Sequence, residues 1–230
     1  VGETLRVPVE LRLDKRIFPA RAALHFGGWD YLNMPAMYEA TPENKPALIA
    51  TLLEHGFDSP WATSSAMPRG THDADGAMTA PPDTANFDNW VALFPGAAQY
   101  LVFAAVGNNF NGLPMDTPAF ARAAGDWARF WAQHAAEKGI APEKMGVLLV
   151  DEPSQQDMDA VIIAWAKAFH AAATGIRVWE DPTYNDMTKA NPELLPNCDT
   201  LCPNRVIFLH AQQPYRDAYL ARKDAGATLD

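Results

Sequence analysis

The sequence predicts an α/β fold: a (β/α) barrel of TIM type that runs through about six strands and follows the last strand of a β-sandwich. Three observations carry this reading. From residue 20 onward short apolar runs alternate with longer amphipathic stretches, the pattern of βα units on a parallel sheet. The run Met145-Gly146-Val147-Leu148-Leu149-Val150 is continuously apolar, as a strand covered on both faces must be. Upstream, Leu5, Val7, Val9, Leu11 and Leu13 instead alternate with Arg6, Pro8, Glu10 and Arg12, a single half-buried strand with nothing nearby to pair with. The expected division is 1–19 as the remnant strand of a preceding sandwich or a linker, and 20–230 as a barrel incomplete at its C-terminus. A doubly wound open sheet is the alternative with the same alternation.

The elements follow in order. Residues 23–26 form a short first strand, and a helix over 42–55 has Thr41 and Asn44 at capping positions and Gly56 as its stop. A second strand spans 57–61. Residues 62–90, rich in Pro, Gly, Ser, Asp and Thr, read as one long excursion, and loops of that length usually carry function. A third strand covers 100–106. An amphipathic helix covers 117–138, with Phe120, Trp127, Phe130 and Trp131 inward and Gly139 ending it. The fourth strand is 145–150, followed by a helix over 157–173. Strands at 176–179 and 200–202 come next, then a helix over 216–223 and the possible start of a seventh strand at 225–229.

Composition narrows the partners. With 18 Lys plus Arg against 28 Asp plus Glu the net charge is −10, and no basic run or basic helix face is visible, so nucleic acid and anionic membrane are not expected partners. No apolar stretch approaches the roughly 20 residues of a bilayer span. No charged-then-apolar leader precedes the first strand, although Val1 in place of an initiator Met suggests a chain cut from something longer. Localisation stays open, compatible with a soluble secreted or periplasmic protein, and oligomeric state is unread. Cys198 and Cys202, four residues apart, would stand roughly 13 Å apart in a strand and could not bridge. No histidine lies at ligand spacing beside them, and the Asp73-Ala74-Asp75-Gly76 fragment after His72 falls far short of a calcium loop. No metal or cofactor is expected, and no Gly-rich phosphate loop follows any strand.

The chemistry gathers at strand ends. The fourth strand stops at Asp151-Glu152-Pro153, where the C-terminal face of a parallel sheet does its work. Two adjacent carboxylates should not ionise independently, so a retained proton is expected within the pair. A straight strand would send them to opposite faces; Pro153 is expected to hold Glu152 extended. A helix-capping role for the pair is the bland alternative, which Ser154 could fill instead. Trp29 and Tyr31 follow the first strand, Trp61 ends the second, Asn108 and Asn109 follow the third, Trp179, Glu180, Asp181 and Tyr184 lie at the fifth, and Asn204 after the sixth. Aromatic faces mixed with amides and carboxylates suit a sugar: its C–H faces stack on rings while its hydroxyls need fixed donors and acceptors. Singly, each of these could be a core residue or a turn former. The histidines His25, His55, His134, His170 and His210 read as structural or solvent-facing.

On the segment 147–153, the preceding alternating strand, the 47–61 helix and strand, and the Trp179-Glu180-Asp181-Pro182 turn, the chain resembles the catalytic domain of family 123 glycoside hydrolases. These are β-N-acetylgalactosaminidases and uncharacterised relatives with a barrel behind a β-sandwich. The resemblance implies a glycan substrate and substrate-assisted retaining hydrolysis of a β-linked N-acetylhexosamine, with N-acetylgalactosamine the expected sugar. By position, Glu152 would be the acid/base and Asp151 would orient the 2-acetamido group. It also implies a tyrosine on the cyclic intermediate, for which Tyr184 and Tyr215 are the available residues. The alternatives are a non-catalytic carbohydrate-binding module or inactive barrel fragment, and a glycosidase for a sugar without an acetamido group, whose distant nucleophile would be sought at Glu180 or Asp181.

Overall fold

The computed structural model describes residues 7–12, 15, 17, 24–210 and 213–230. Seven strands lie parallel in one sheet in the order of the chain: β1 Gly27–Gly28, β2 Ser59–Thr63, β3 Tyr100–Phe103, β4 Met145–Leu148, β5 Arg177–Glu180, β6 Thr200–Leu201 and β7 Thr228–Leu229. Sequential order is barrel winding; a doubly wound sheet would reverse direction at a switch point. The start of a seventh strand expected at 225–229 is Thr228–Leu229, which pairs in register with Thr200 and Leu201.

Helices connect the strands: α1 Lys45–Glu54, α2 Ala85–Leu93, α3 Pro118–Glu137, α4 Gln156–Ala172, α5 Arg205–His210 and α6 Gln213–Asp224. Thr41 and Asn44 cap α1 reciprocally, the Thr41 amide donating to Asn44 Oδ1 at 2.7 Å and the Asn44 amide to Thr41 Oγ1 at 3.4 Å. Thr117 caps α3 by accepting the Phe120 amide at 3.2 Å, and Gly139 ends it at φ +77°, a conformation that favours glycine.

Three expectations need correction. The 62–90 excursion is not a loop throughout: it holds a hairpin pairing Thr71–His72 with Met78–Ala80, and the start of α2. That helix forms because Phe87, Trp90 and Val91 present one buried face. The hairpin tip turns on Asp73, whose Oδ1 accepts the amides of Asp75 and Ala77. The first strand begins at Gly27, later than expected, and Ala23 lies outside the described residues. Residues 7–12 carry no strand assignment and Val7, Val9 and Leu11 are exposed, while Leu5 and Leu13 lie outside the described residues.

The strand pleat sorts side chains into two layers. Ala62, Val102, Val147, Val178 and Leu201 face the helices, and Trp61, Leu101, Leu148 and Trp179 face the concave side with Tyr31, Phe103 and Cys202 against them. Gly146 stands opposite Leu101, and a Cβ there would meet Leu101 Cδ2 at 2.4 Å, so the concave layer closes only because this position lacks a side chain. Outside the sheet, α3 and α4 pack through Trp127, Trp165 and Phe169. Each such buried ring contributes about 1.5–3 kcal/mol of hydrophobic stabilisation. The indoles also reach upward, Trp127 Nε1 donating to Pro68 O at 2.8 Å and Trp165 Nε1 to Gly107 O at 2.9 Å, which fixes the loops at the C-terminal ends of the strands.

Candidate active site

The exit of β4 is shaped by its neighbour. Past Leu148 the chain leaves the ladder, and the Leu149 amide donates to Glu180 Oε1 at 3.0 Å instead of to a backbone carbonyl. Glu180 is fully buried, and burial, with the Asp181 and Asp151 charges adding to it, pushes its carboxyl well above the usual range. Two residues on, the Glu152 amide donates to Asp181 Oδ1 at 3.0 Å, Thr183 Oγ1 donates to Glu152 O at 3.1 Å, and the Thr183 amide donates to Pro153 O at 3.0 Å.

These bonds place Glu152 at φ +47°, not in the extended conformation expected before Pro153. A following proline disfavours the right-handed helical region, and the contacts from 181–183 select the left-handed one instead. A non-glycine residue there carries roughly 1–2 kcal/mol of strain, which persists only where surroundings over-determine the backbone. The turn takes both acidic side chains out of the strand pleat, and Asp151 and Glu152 are exposed at the mouth. Burial, and then the charges of Asp151 and Glu152, push Asp181 up to about 7, because Asp181 is buried and the pair is not.

An aromatic layer lies on the concave side of the strands that lead into this corner. Trp29 and Trp61 ring centroids are 5.6 Å apart at 32°, and Trp61 meets Trp179 edge-on at 4.8 Å. Only Trp29, 45% exposed, offers a ring face to solvent; Trp61 and Trp179 are each 3% exposed and buttress it. Of the three tryptophans expected as sugar platforms, two are therefore interior packing. Tyr31, half-buried at φ +45°, lies against the same layer, and its phenol is pushed up by burial and by the charges of Asp151, Tyr38 and Asp181. Asp30 ties this corner together, its carboxylate accepting the Trp61 amide at 2.7 Å and the Leu32 amide at 3.3 Å. Burial outweighs those bonds and pushes Asp30 up to about 6.

The structure thus gathers Asp151, Glu152, Trp29, Tyr31, Trp61, Trp179, Glu180 and Asp181, and commits the remaining expected residues elsewhere. Asn108 O accepts the Met115 amide and Asn109 Oδ1 accepts the Gly112 amide at 3.2 Å, so both shape the hairpin of Asn109–Phe110 with Leu113–Pro114. Tyr184 is buried with its hydroxyl donating to Asp159 Oδ2 at 2.8 Å. Tyr215 is buried too, its hydroxyl 3.3 Å from that of Tyr219. Asn204 Oδ1 accepts the Val206 and Ile207 amides and caps α5. Glu180, considered as a nucleophile, is inaccessible.

Two residues absent from the expected set join the site. Asp30 sat in the Gly-Gly-Trp-Asp exit of the first strand, where its order gave the signal. Asp230 accepts Trp179 Nε1 at 2.6 Å from the end of β7, and no sequence signal marks it. Cys198 and Cys202 are free thiols. Among the described residues no group of three or more His, Cys, Asp or Glu side chains could hold a metal ion, and no helix is long and apolar enough to cross a membrane.

Comparison with known proteins gives a likeness of fold. No family model and no curated protein matches the chain. The structure is similar to that of a family 123 glycoside hydrolase from Clostridium perfringens, studied for glycolipid glycan hydrolysis, with 16% identity and a TM-score of 0.54 over 82% of this chain and 38% of that one. It is also similar to a second glycoside hydrolase, with 13% identity and a TM-score of 0.50 over 89% of this chain and 76% of that one. The chain therefore spans well under half the length of the family 123 enzyme. At such identities the shared property is the architecture.

Proposed function

We propose that this chain carries the catalytic centre of a glycoside hydrolase that cleaves a β-linked N-acetylhexosamine, with N-acetylgalactosamine as the expected sugar, by substrate-assisted retaining catalysis. The supporting observation is the strained turn at Glu152, held by Asp181 and Thr183, which leaves two adjacent carboxyl groups exposed, with Tyr31 within reach of the Asp151 charge. Fold likeness to glycoside hydrolases agrees with it.

In this reading the sugar stacks on Trp29 and its 2-acetamido group meets Asp151. The acetamido carbonyl oxygen attacks the anomeric carbon as the glycosidic C–O bond breaks, and Glu152 in its acid form gives its proton to the leaving oxygen. Asp151 accepts the amide N–H and stabilises the positive charge that develops on the cyclic intermediate. Water then opens that ring at the anomeric carbon, returning a proton to Glu152. Asp181 and Glu180 act on the backbone, setting the direction of both carboxyl groups. In this reading Tyr31 hydrogen-bonds the intermediate, a role supported by its packing on the aromatic layer and by the influence of the Asp151 charge on its phenol.

The test is release of phenol from an aryl N-acetyl-β-galactosaminide by the protein and its variants. Glu152→Gln should lower kcat by 10²–10⁴-fold, the usual contribution of a general acid, and Asp151→Asn should lose most activity. A Glu152→Gln variant as active as wild type overturns the proposal. The Trp179–Asp230 contact favours one second reading, in which Asp230 is the carboxylate partner of Glu152 on a sugar without an acetamido group. Turnover of an aryl β-hexoside lacking that group, abolished by Asp230→Asn, would select it.

A further inference from the structure

We propose that the Arg69 guanidinium forms an anion-binding subsite on the rim beside the candidate active site, taking a carboxylate or sulfate group carried by the glycan. The inference rests on the glycosidase reading for the nature of the ligand, and on independent geometry for the site.

Arg69 lies in the 62–90 excursion, just ahead of its hairpin. The guanidinium carbon stands 5.2 Å from the Phe110 ring centroid and 5.5 Å from that of Trp165, and the side chain lines a cavity of about 230 Å³ with Ser64, Ala105, Val106 and Trp165. The far wall of that cavity is Ala104–Val106, the exit of β3. Ala104 and Val106 donate their amides to Leu148 O and Leu149 O, each at 2.9 Å, so the wall is bonded to the residues that lead into Asp151 and Glu152.

The segment that carries Arg69 is held rigidly. Pro68 O accepts both Trp127 Nε1 at 2.8 Å and Trp131 Nε1 at 3.3 Å, and Gly70 O accepts Asn111 Nδ2 at 3.0 Å. Gly70 itself sits at φ +67°, where a Cβ would meet Ala80 O at 2.7 Å. A group preorganised in this way loses little freedom when a ligand arrives.

What the guanidinium lacks is an acceptor. Among the described residues no carboxylate, carbonyl or hydroxyl is hydrogen-bonded to it, although the chain carries ten more acidic than basic residues by 28 against 18. The half-burial of Arg69 lowers its pKa, and no neighbouring acid opposes that effect. Ring faces hold the cation, but its five N–H donors form a planar fork that matches an oxyanion bidentately and leaves neutral hydroxyls a poorer fit. An uncompensated, aromatic-braced arginine beside a cavity at the sugar-facing end of the sheet is thus complementary to an acidic substituent on the substrate.

The experiment is calorimetric titration of the protein carrying Glu152→Gln, which leaves ligand intact, with three matched N-acetyl-β-galactosaminyl disaccharides: one neutral, one with a carboxylate on the adjoining sugar, and one with a sulfate ester there. The proposal expects at least one charged ligand to bind tenfold or more tightly than the neutral one, and the tighter of the two identifies the source of the anion. Adding Arg69→Gln should erase that preference and leave the neutral affinity unchanged. Arg69→Lys, which keeps the charge over the rings, should retain part of it. Equal affinity for all three ligands, or a preference that survives Arg69→Gln, overturns the subsite. Hydrolysis by wild type without any charge preference sinks the subsite and spares the glycosidase; charge-selective binding with no hydrolysis does the reverse. Absence of binding by all three overturns both.

Discussion

The Asp181 carboxylate accepts the Glu152 backbone amide at 3.0 Å, so a group that titrates near neutrality governs the backbone of the candidate acid/base. The bond spans 29 residues of sequence and joins the exits of two adjacent strands. It links protonation, local conformation and the aim of Glu152.

Asp181 binds its proton more tightly in the folded chain, at about 7, than at the ordinary 3.8. The folded chain therefore holds an extra proton between those values, and stability falls as pH rises through that window. Asp181→Asn keeps a carbonyl acceptor for the Glu152 amide and removes the titration. Chemical unfolding from pH 4 to pH 8 should show wild type losing ~2–4 kcal/mol more than the variant. A residual slope of the same sign should remain from Asp30, whose carboxyl is also raised, to about 6.

Glu152→Gly should separate stability from function. Glycine at φ +47° relieves the left-handed strain, while adding unfolded-state entropy that opposes part of the gain. We expect a net stabilisation of up to about 1 kcal/mol in urea unfolding together with loss of hydrolysis. Glu152→Gln should lose hydrolysis with no stability gain. A destabilised Glu152→Gly variant would contradict the strain argument.

Glu180 distinguishes a structural carboxyl from a catalytic one. Its Oε1 accepts the Leu149 amide and, among the described residues, its Oε2 has no hydrogen-bond partner, so Glu180→Gln supplies the same acceptor and should change stability by less than about 1 kcal/mol. Glu180→Ala strands a buried amide and opens a cavity, and should cost about 2–4 kcal/mol. Equal cost for the two variants in denaturant titration would show that the hydrogen bond is not what matters.

Gly146→Ala tests the concave layer. The added methyl would lie 2.4 Å from Leu101 Cδ2, and Leu101 is buried between Trp61 and its neighbours, so the leucine cannot swing clear without displacing the aromatic stack. The expected loss is about 1–3 kcal/mol, read as a lower Tm. Adding Leu101→Val should recover part of it, as contact pairs couple.

The strand and helix pattern was readable because buried parallel strands and amphipathic helices write themselves into apolar spacing. The helix expected over 117–138 is Pro118–Glu137, and the strand expected at 145–150 contains Met145–Leu148. Helix α2 was hidden because Phe87, Trp90 and Val91 sit in a stretch full of Pro, Asp and Thr. The acidic pair was visible as an apolar run with an abrupt polar end. Its conformation was not, since Glu152 takes its φ from Asp181 and Thr183, and no local rule reports a bond between distant residues. Trp61 and Trp179 look the same in sequence whether they face a ligand or a packed layer; only the pleat and the curvature of the sheet decide.

The two outermost strands, β1 and β7, are two residues long each, and among the described residues neither pairs beyond the sheet. An open parallel sheet with long bare margins would recruit stray chains through its unmatched amides and carbonyls. Margins this brief offer too few rungs for such a template.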